Sequence, residues 1–214
     1  MLIADSVTAG YRAGRSVIHE VDLRVAPGEI VGITGDSGSG KSTLARTMSG
    51  LLRPTAGAVT VDGQAPRKVR GAVAMVFQSP RAATNPHFTV ARIITEPARI
   101  RRTPLPDLAA LATAVGLTPD LLDRRPHALS DGQLQRACLA RALAQQPRYL
   151  ILDEATAMLD AATTAGIIGL VTARATDDLG VLLISHDEAL LDVACTRIAT
   201  MHEGTLTPRR ASAQ

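Results

Sequence analysis

Apolar runs separated by glycine, proline and aspartate divide the first third of the chain into short strands and one helix. Strand-like runs stand at 2–7, 21–25, 29–34, 58–61 and 72–77. Their length and their content of β-branched residues are typical of β-strands, and Asp62-Gly63 predicts a turn after the fourth run. A helix is expected from Lys41 to about Gly50, because glycine commonly follows the last turn of a helix.

The rest of the chain is first helical and then alternates between strands and helices. Helix-like patterns stand at 89–102, 106–115 and about 131–145. Strand-like apolar runs follow at 149–154 and 180–185, with a helical segment between them. This alternation is typical of βαβ units. We therefore predict an α/β fold with a mostly parallel sheet and helices on both faces.

Length and composition predict the domain organisation. A chain of 214 residues with 46% hydrophobic residues fits one globular domain. We expect this domain to span residues 1–206, with a helical subdomain inserted at about 89–128 and a frayed tail at 207–214. No apolar run approaches the roughly 20 residues of a membrane span, and no signal-peptide pattern is present, so we expect a cytosolic chain. Cys138 and Cys195 show no metal or disulfide spacing and are expected to be reduced.

The net charge of +3 invites comparison with nucleic-acid-binding proteins. The arginines are scattered along the chain, and aromatic residues make up only 2% of it. A groove for single-stranded nucleic acid needs several stacking rings beside its charges. We therefore expect no nucleic-acid partner, and we expect the arginine pairs to be solvated or to contact anionic partner surfaces.

A glycine-rich segment after the third strand fits the phosphate-loop pattern G-x-x-x-x-G-K-[ST] at every fixed position. Its glycines let backbone N–H groups turn toward phosphates, and the helix that follows presents its positive end. Lys41 can reach the outer phosphates, and Ser42 can ligate Mg²⁺. The candidate nucleotide-binding residues of this segment are Gly35, Ser37, Gly38, Ser39, Gly40, Lys41, Ser42 and Thr43.

Two acidic residues and one histidine follow later buried strands. Asp153 ends the apolar run 149–153, where a carboxylate can hold Mg²⁺ through water. Glu154 is then free to orient and deprotonate an attacking water. His186 follows the apolar run 180–185, and ligands in parallel sheets bind at the carboxyl ends of strands. We therefore expect His186 to point at the same rim as Asp153, near a γ-phosphate.

Leu129-Ser-Asp-Gly-Gln133 stands at the start of the helix that precedes the acidic strand. A serine and a glycine at a helix N-terminus can supply a second phosphate-binding surface. This surface is expected to face outward, so we predict that it serves the nucleotide of another subunit.

Taken in order, these motifs resemble those of the nucleotide-binding subunits of ATP-binding cassette (ABC) transporters, from about residue 2 to residue 206. The matching positions are Tyr11 (the adenine-stacking aromatic), Gln78 (the Q-loop glutamine), Ser130, Gly132 and Gln133 (the signature), Asp153 and Glu154 (the acidic pair), Asp160 (the D-loop aspartate) and His186 (the switch histidine). A single tyrosine in a loop can also pack against the protein, so both interpretations of Tyr11 stay open.

The resemblance implies a phosphate-loop ATPase cassette with a mostly parallel core sheet, an antiparallel β subdomain and a helical subdomain. It implies ATP and Mg²⁺ as ligands, with Glu154, His186 and Gln78 as catalytic residues. Ser42, Gln78 and Asp153 are the implied metal ligands. Tyr11, the signature residues Ser130, Gly132 and Gln133, and Asp160 are implied to contact nucleotide in a dimer.

The family also implies partners and a location. The chain is expected to work as a homo- or heterodimer with a second ABC ATPase subunit, on transmembrane permease subunits at the cytoplasmic face of the cell membrane. A solute-binding protein would be an indirect partner. The segment 79–90 after Gln78 resembles importers of peptides, nickel and metal-chelating opines, and the signature helix is most similar to the nickel-type subunits. A non-transport ABC ATPase and a weakly hydrolysing nucleotide-binding scaffold remain the alternatives.

Two positions depart from the family pattern. Ala155 stands where proline often follows the glutamate, and Asp131 replaces the usual glycine between Ser130 and Gly132. A carboxylate beside a polyphosphate would oppose its binding. We therefore expect this signature to serve the weaker half-site of a heterodimer whose partner carries glycine at this position. The alternative is that Asp131 turns to solvent and only its backbone faces the nucleotide.

Overall fold

The computed structural model describes residues 1–12, 14–157, 159–175 and 178–209. Their strands are β1 (Leu2–Ala9), β2 (Ile18–Val25), β3 (Ile30–Gly35), β4 (Ala56–Val61), β5 (Val73–Val76), β6 (Tyr149–Asp153), β7 (Gly180–Ile184), β8 (Arg197–His202) and β9 (Thr205–Pro208). Their helices are α1 (Lys41–Met48), α2 (Val90–Arg101), α3 (Leu108–Ala114), α4 (Asp131–Leu143), α5 (Ala161–Ala175) and α6 (Glu188–Ala194). None of the described helices has both the length and the apolar character needed to cross a membrane.

The larger of two sheets has the strand order β5-β6-β7-β3-β8-β9 and is parallel except for the pairing of β8 with β9. Strands β6 and β7 are buried along their whole length, as expected for a parallel sheet covered on both faces. Ile184 is in register with both Ile33 and Asp153. The loops after β3, β6 and β7 therefore leave the sheet at the same rim.

The larger sheet packs between two apolar layers. Ile33 and Ile151 belong to the same buried cluster as Leu44 of α1 and the inner face of the antiparallel sheet β2-β1-β4. Leu150 and Leu183 belong to a second cluster with residues of α4, α5 and α6. Each fully buried large side chain contributes about 1.5–3 kcal/mol, so these two layers hold the rim in place.

The α/β fold class is confirmed, and most predicted elements lie within one or two residues of their expected bounds. Helix α2 begins after Thr89 because the Thr89 hydroxyl accepts a 3.2 Å bond from the Arg92 N–H, which makes Thr89 the N-cap. The expected frayed tail differs at its start. Thr207 and Pro208 belong to β9, because Thr207 pairs with Thr200 of β8. Residues 210–214 of the expected tail lie outside the described residues.

Candidate functional site

The glycine-rich loop between β3 and α1 needs glycine for its backbone shape. Gly35 has a φ of 141°, and a Cβ there would lie 2.2 Å from the Met201 carbonyl oxygen. Gly38 has a φ of 80°, in the left-handed region, and its missing side chain leaves open space. A phosphate can therefore approach the backbone of this loop closely. Ser39 is buried, and its carbonyl accepts a 2.9 Å bond from the Gly204 N–H, which anchors the loop to the turn before β9.

Lys41, the first residue of α1, directs its ammonium group into this loop. Its Nζ donates to the Gly35 carbonyl at 2.7 Å and to the Asp36 carbonyl at 2.8 Å. The side chain is only 5% exposed, and Nζ lies 3.8 Å from Oε1 of Glu154. A fixed positive charge thus stands between the loop and the acidic end of β6.

Most of the predicted residues of the loop and the rim line one cavity of about 340 Å³, whereas Gly35, Ser39 and Asp153 are not part of its lining. Its lining consists of Val17, Ser37, Gly38, Gly40, Lys41, Ser42, Thr43, Gln78, Glu154 and His186. The structure therefore brings together residues from four separate segments that the sequence motifs singled out independently. Val17, just before β2, was missed, because an apolar residue gives no sequence signal for a place beside a polar cavity.

Two of the other residues that line the cavity contact the carboxylate of Glu154. Gln78 Nε2 donates to Oε2 at 2.6 Å, and His186 Nε2 lies 2.7 Å from Oε1. Glu154 has a φ of 50°, and its N–H donates to the Ile184 carbonyl at 3.0 Å. A left-handed conformation is costly outside glycine and is concentrated at functional sites. At this position it turns the chain sharply at the end of β6, where the glutamate side chain enters the cavity.

Ser42 and Asp153 form a second, deeper contact. The Ser42 hydroxyl donates to Oδ1 of Asp153 at 3.0 Å, and Asp153 is only 2% exposed. Burial raises the pKa of Asp153 above its ordinary value, while the bond from Ser42 opposes that rise. Together with Gln78, these residues line an adjoining cavity of about 360 Å³.

This donor set fits Mg²⁺, which prefers oxygen ligands and is commonly held by one or two protein groups together with substrate phosphates. Across the described ranges, no three histidine, cysteine, aspartate or glutamate side chains cluster as a metal site made by protein alone. The hydroxyl of Ser42, the carboxylate of Asp153 and the amide oxygen of Gln78 are oxygen donors of the kind that Mg²⁺ prefers.

Tyr11 lies beside α1 with 55% of its surface exposed. Its hydroxyl accepts a 2.6 Å bond from Nη1 of Arg46, whose guanidinium carbon lies 5.7 Å from the ring centroid. One ring can thus pack on Arg46 and still offer exposed surface to a ligand. Arg46 was not predicted, although it stands four residues after Ser42 and hence on the same face of α1.

The signature residues lie at the N-terminus of α4 and not in the lining of the cavity. The Ser130 hydroxyl accepts from the Gln133 N–H at 3.1 Å, and the Gln133 side chain accepts from the Ser130 N–H at 3.0 Å. This capping box fixes the first turn of α4, with Gly132 inside it. Asp160 directly precedes α5, and its carboxylate accepts from the Thr163 N–H in the first turn of that helix at 2.8 Å. Hydrogen bonding from Thr163 lowers the pKa of Asp160.

Asp131 pairs with an arginine that its sequence context does not reveal. Nε of Arg81 lies 2.6 Å from Oδ1 of Asp131. Arg81 also donates to the carbonyls of Pro126 and Leu129, both at 3.1 Å. The carboxylate therefore lies against the segment after Gln78 and is not simply turned to solvent. Arg81 lies in that segment, but nothing in its local sequence indicates a contact with α4.

Comparison with known proteins identifies relatives across nearly the whole chain. The model of the family described as "ABC transporter" matches residues 18–157. The nickel import ATP-binding protein NikE of Rhodospirillum rubrum is 39% identical, over 96% of this chain and 82% of its own. The probable D,D-dipeptide transport ATP-binding protein DdpF of Escherichia coli K12 is 41% identical, over 88% of this chain and 62% of its own.

Solved structures agree with these relatives. An ATP-binding cassette determined as a dimer in a post-hydrolysis state, with ADP and phosphate bound, superposes with a TM-score of 0.88 at 27% identity. The match covers 99% of this chain and 100% of that chain. CbiO1 of Clostridium perfringens, part of the transporter complex CbiONQ, superposes with a TM-score of 0.80 at 25% identity, over 96% of this chain and 86% of that one.

Proposed function

The chain belongs to the ABC transporter family, and from this premise we propose that it is the ATP-hydrolysing subunit of a multi-subunit importer. The observation that carries the proposal is the carboxylate of Glu154, held between Gln78 and His186 beside the lysine of the phosphate loop. Phosphoryl transfer depends mainly on positioning and charge neutralisation, and this arrangement supplies both.

ATP binds first at the phosphate loop in this proposal. The backbone N–H groups of Ser37–Thr43 and the N-terminus of α1 face the phosphates. Lys41 exchanges its bonds to the Gly35 and Asp36 carbonyls for oxygens of the outer phosphates. Tyr11 stacks on the adenine, with Arg46 behind the ring.

Hydrolysis then depends on Glu154 as general base. Its carboxylate accepts the proton of the attacking water, a contribution typically worth about 10²–10⁴-fold. Gln78 and His186 hold the two carboxylate oxygens from opposite sides and fix their direction. His186 is 51% exposed, so it can leave Glu154 and approach a γ-phosphate.

Ser42, Asp153 and Gln78 would hold Mg²⁺. The ion supplies neutralisation of the charge on the phosphate oxygens. Asp153 serves this role through its position at the end of a fully buried strand, which fixes the carboxylate relative to Ser42.

Two subunits close over two ATP molecules in the proposed working state. The first turn of α4, with Ser130, Gly132 and Gln133, binds the nucleotide held by the partner's phosphate loop, and Asp160 contacts the facing site. Residues 1–208, which include all of β9, act as one ATPase domain with the segment 89–128 inserted as a helical subdomain. The dimeric cassette of similar fold supports this arrangement.

Separate permease subunits form the path across the membrane in this proposal, with the chain on their cytoplasmic face. The relatives named for nickel import and for D,D-dipeptide transport suggest nickel, a nickel-chelating metallophore or a short peptide as cargo. A solute-binding protein would deliver that cargo to the permeases.

Purification of the tagged chain from its own cells tests the proposal directly. We expect two permease subunits and a second ATPase subunit, or a second copy of this chain, to copurify, and we expect the complex to hydrolyse ATP. The ligand on the associated solute-binding protein then identifies the cargo. Recovery of the chain with soluble proteins alone would contradict an importer function.

A further inference from the structure

The contact between Arg81 and Asp131 joins the segment after Gln78 to the first residue of the signature helix. Both side chains are about half exposed, at 49% and 46%. Half-exposed ion pairs contribute little to folding stability, because water and salt screen them. The contribution of this ion pair to folding stability therefore does not explain why both residues are present.

The position of Asp131 in α4 explains better why an arginine lies beside it. It is the first residue of α4, where the unpaired N–H groups and the helix dipole attract an anion. The proposed function, on which this inference rests, places a partner's phosphates at this same helix end. An aspartate there is a resident anion that would compete with the phosphates for the helix N-terminus and repel them.

The orientation of Arg81 counteracts this repulsion between the Asp131 carboxylate and the phosphates. Its two Nη atoms donate to the carbonyls of Pro126 and Leu129, so contacts other than the ion pair fix the plane of the guanidinium. Nε then lies 2.6 Å from Oδ1 of Asp131, an oxygen that is itself shielded from solvent and accepts no hydrogen bond from the described residues, so the two groups are held together as an ion pair. Leu129 directly precedes Ser130, so the same arginine also holds the backbone at the entrance to the signature.

We propose that Arg81 is a positioning residue for ATP hydrolysis, which holds the carboxylate of Asp131 to the side of the signature surface and cancels its charge. The aspartate is tolerated in this signature because the arginine is present. Arg81 touches no nucleotide in this arrangement and acts only through Asp131 and the backbone beside Ser130.

The test uses the complex purified from the chain's own cells, carrying Arg81→Ala, Asp131→Ala or both substitutions. We expect Arg81→Ala to lower kcat about tenfold, because it leaves an uncompensated carboxylate facing the partner's phosphates. KM for ATP should stay within about twofold, since the phosphate loop is unchanged. Asp131→Ala alone should stay within about threefold of wild type, and the double variant should recover most of the activity that Arg81→Ala loses.

Two controls separate this role from a general structural one. Arg136→Ala removes an arginine of α4 that donates to the Gly116 carbonyl and does not contact Asp131 in any described hydrogen bond or ion pair, and it should leave kcat within about twofold. Raising the salt concentration should restore activity in Arg81→Ala but not in the double variant, because only the former carries an exposed, unpaired carboxylate.

A double variant no more active than Arg81→Ala, or an Arg81→Ala complex with wild-type kcat, overturns the inference. If the wild-type complex copurifies but shows no ATP turnover, the proposed function itself fails and this inference fails with it. The two failures are distinguishable, because only the second affects the wild type.

Discussion

Gln78 and Glu154 are 76 positions apart in the chain, yet Nε2 of the glutamine donates a 2.6 Å hydrogen bond to Oε2 of the glutamate. The bond links the segment after β5 to the end of β6, and it fixes the carboxylate in the direction of the phosphate loop. Because Gln78 also lines the cavity beside Ser42 and Asp153, one side chain connects the proposed base with the proposed metal site.

Glu154→Gln should slow ATP hydrolysis by about 10²-fold or more, because the amide cannot accept the proton of the attacking water. ATP affinity should be retained, since the phosphate loop and Asp153 are unchanged. Steady-state ATPase and size-exclusion chromatography with ATP measure both effects, and an ATP-bound dimer should accumulate. Glu20→Gln, at an exposed position on β2, is the matched control. Turnover near the wild-type rate would remove Glu154 from the role of base.

Lys41→Ala should abolish ATP binding at millimolar concentrations, because both the charge and the contacts to the outer phosphates are lost. Isothermal titration calorimetry measures the change. Lys68→Ala is the matched control, since Lys68 is the only other lysine in the chain and is exposed. Unchanged affinity in Lys41→Ala would contradict the assignment of the phosphate loop.

Tyr11→Ala should weaken ATP binding by about 1–3 kcal/mol, the range for loss of base–aromatic stacking. Tyr11→Phe keeps the ring and removes only the hydroxyl that accepts from Arg46, so it should bind ATP almost as well as wild type. Calorimetry with both variants distinguishes stacking from packing. An affinity loss below a few tenths of a kcal/mol in Tyr11→Ala would assign the ring to packing against Arg46 alone.

Local patterns predicted the elements and the rim of the site better than the contacts between distant segments. Thr89 and Ser130 cap helices, and Gly35 and Lys41 belong to a motif whose backbone shape depends on nearby residues, so short stretches of sequence contain the information. Arg46 and Arg81 act on partners 35 and 48 positions away, at Tyr11 and Leu129. Only the fold brings these pairs together.

The position of the Asp131 side chain likewise depends on a contact that the local sequence does not reveal. Its sequence context leaves open whether the carboxylate faces a phosphate or turns aside. The choice depends on Arg81, which enters from another segment.

Asp153→Asn should raise the thermal stability of the protein without ligand and weaken its binding of ATP with Mg²⁺. In the wild type without nucleotide, burial raises the pKa of Asp153, so the folded protein bears the cost of a desolvated carboxylate at neutral pH. A folded-state pKa above the unfolded one means that stability falls as pH rises through the folded value. The asparagine avoids this cost and should therefore raise the midpoint of thermal unfolding at neutral pH, with a gain that shrinks in acid as the wild-type carboxyl becomes protonated.

The same substitution should weaken the Mg²⁺-dependent part of ATP binding at least tenfold, or about 1.4 kcal/mol, because a neutral amide is a poorer ligand for a hard cation. Thermal unfolding from pH 5 to pH 8, with and without Mg²⁺ and ATP, measures both effects in one experiment. Asp123→Asn, at an exposed position, controls for the loss of one negative charge. A variant that is less stable than wild type without ligand, yet gains as much stability from Mg²⁺ and ATP, would show that Asp153 supports the fold and does not hold the metal.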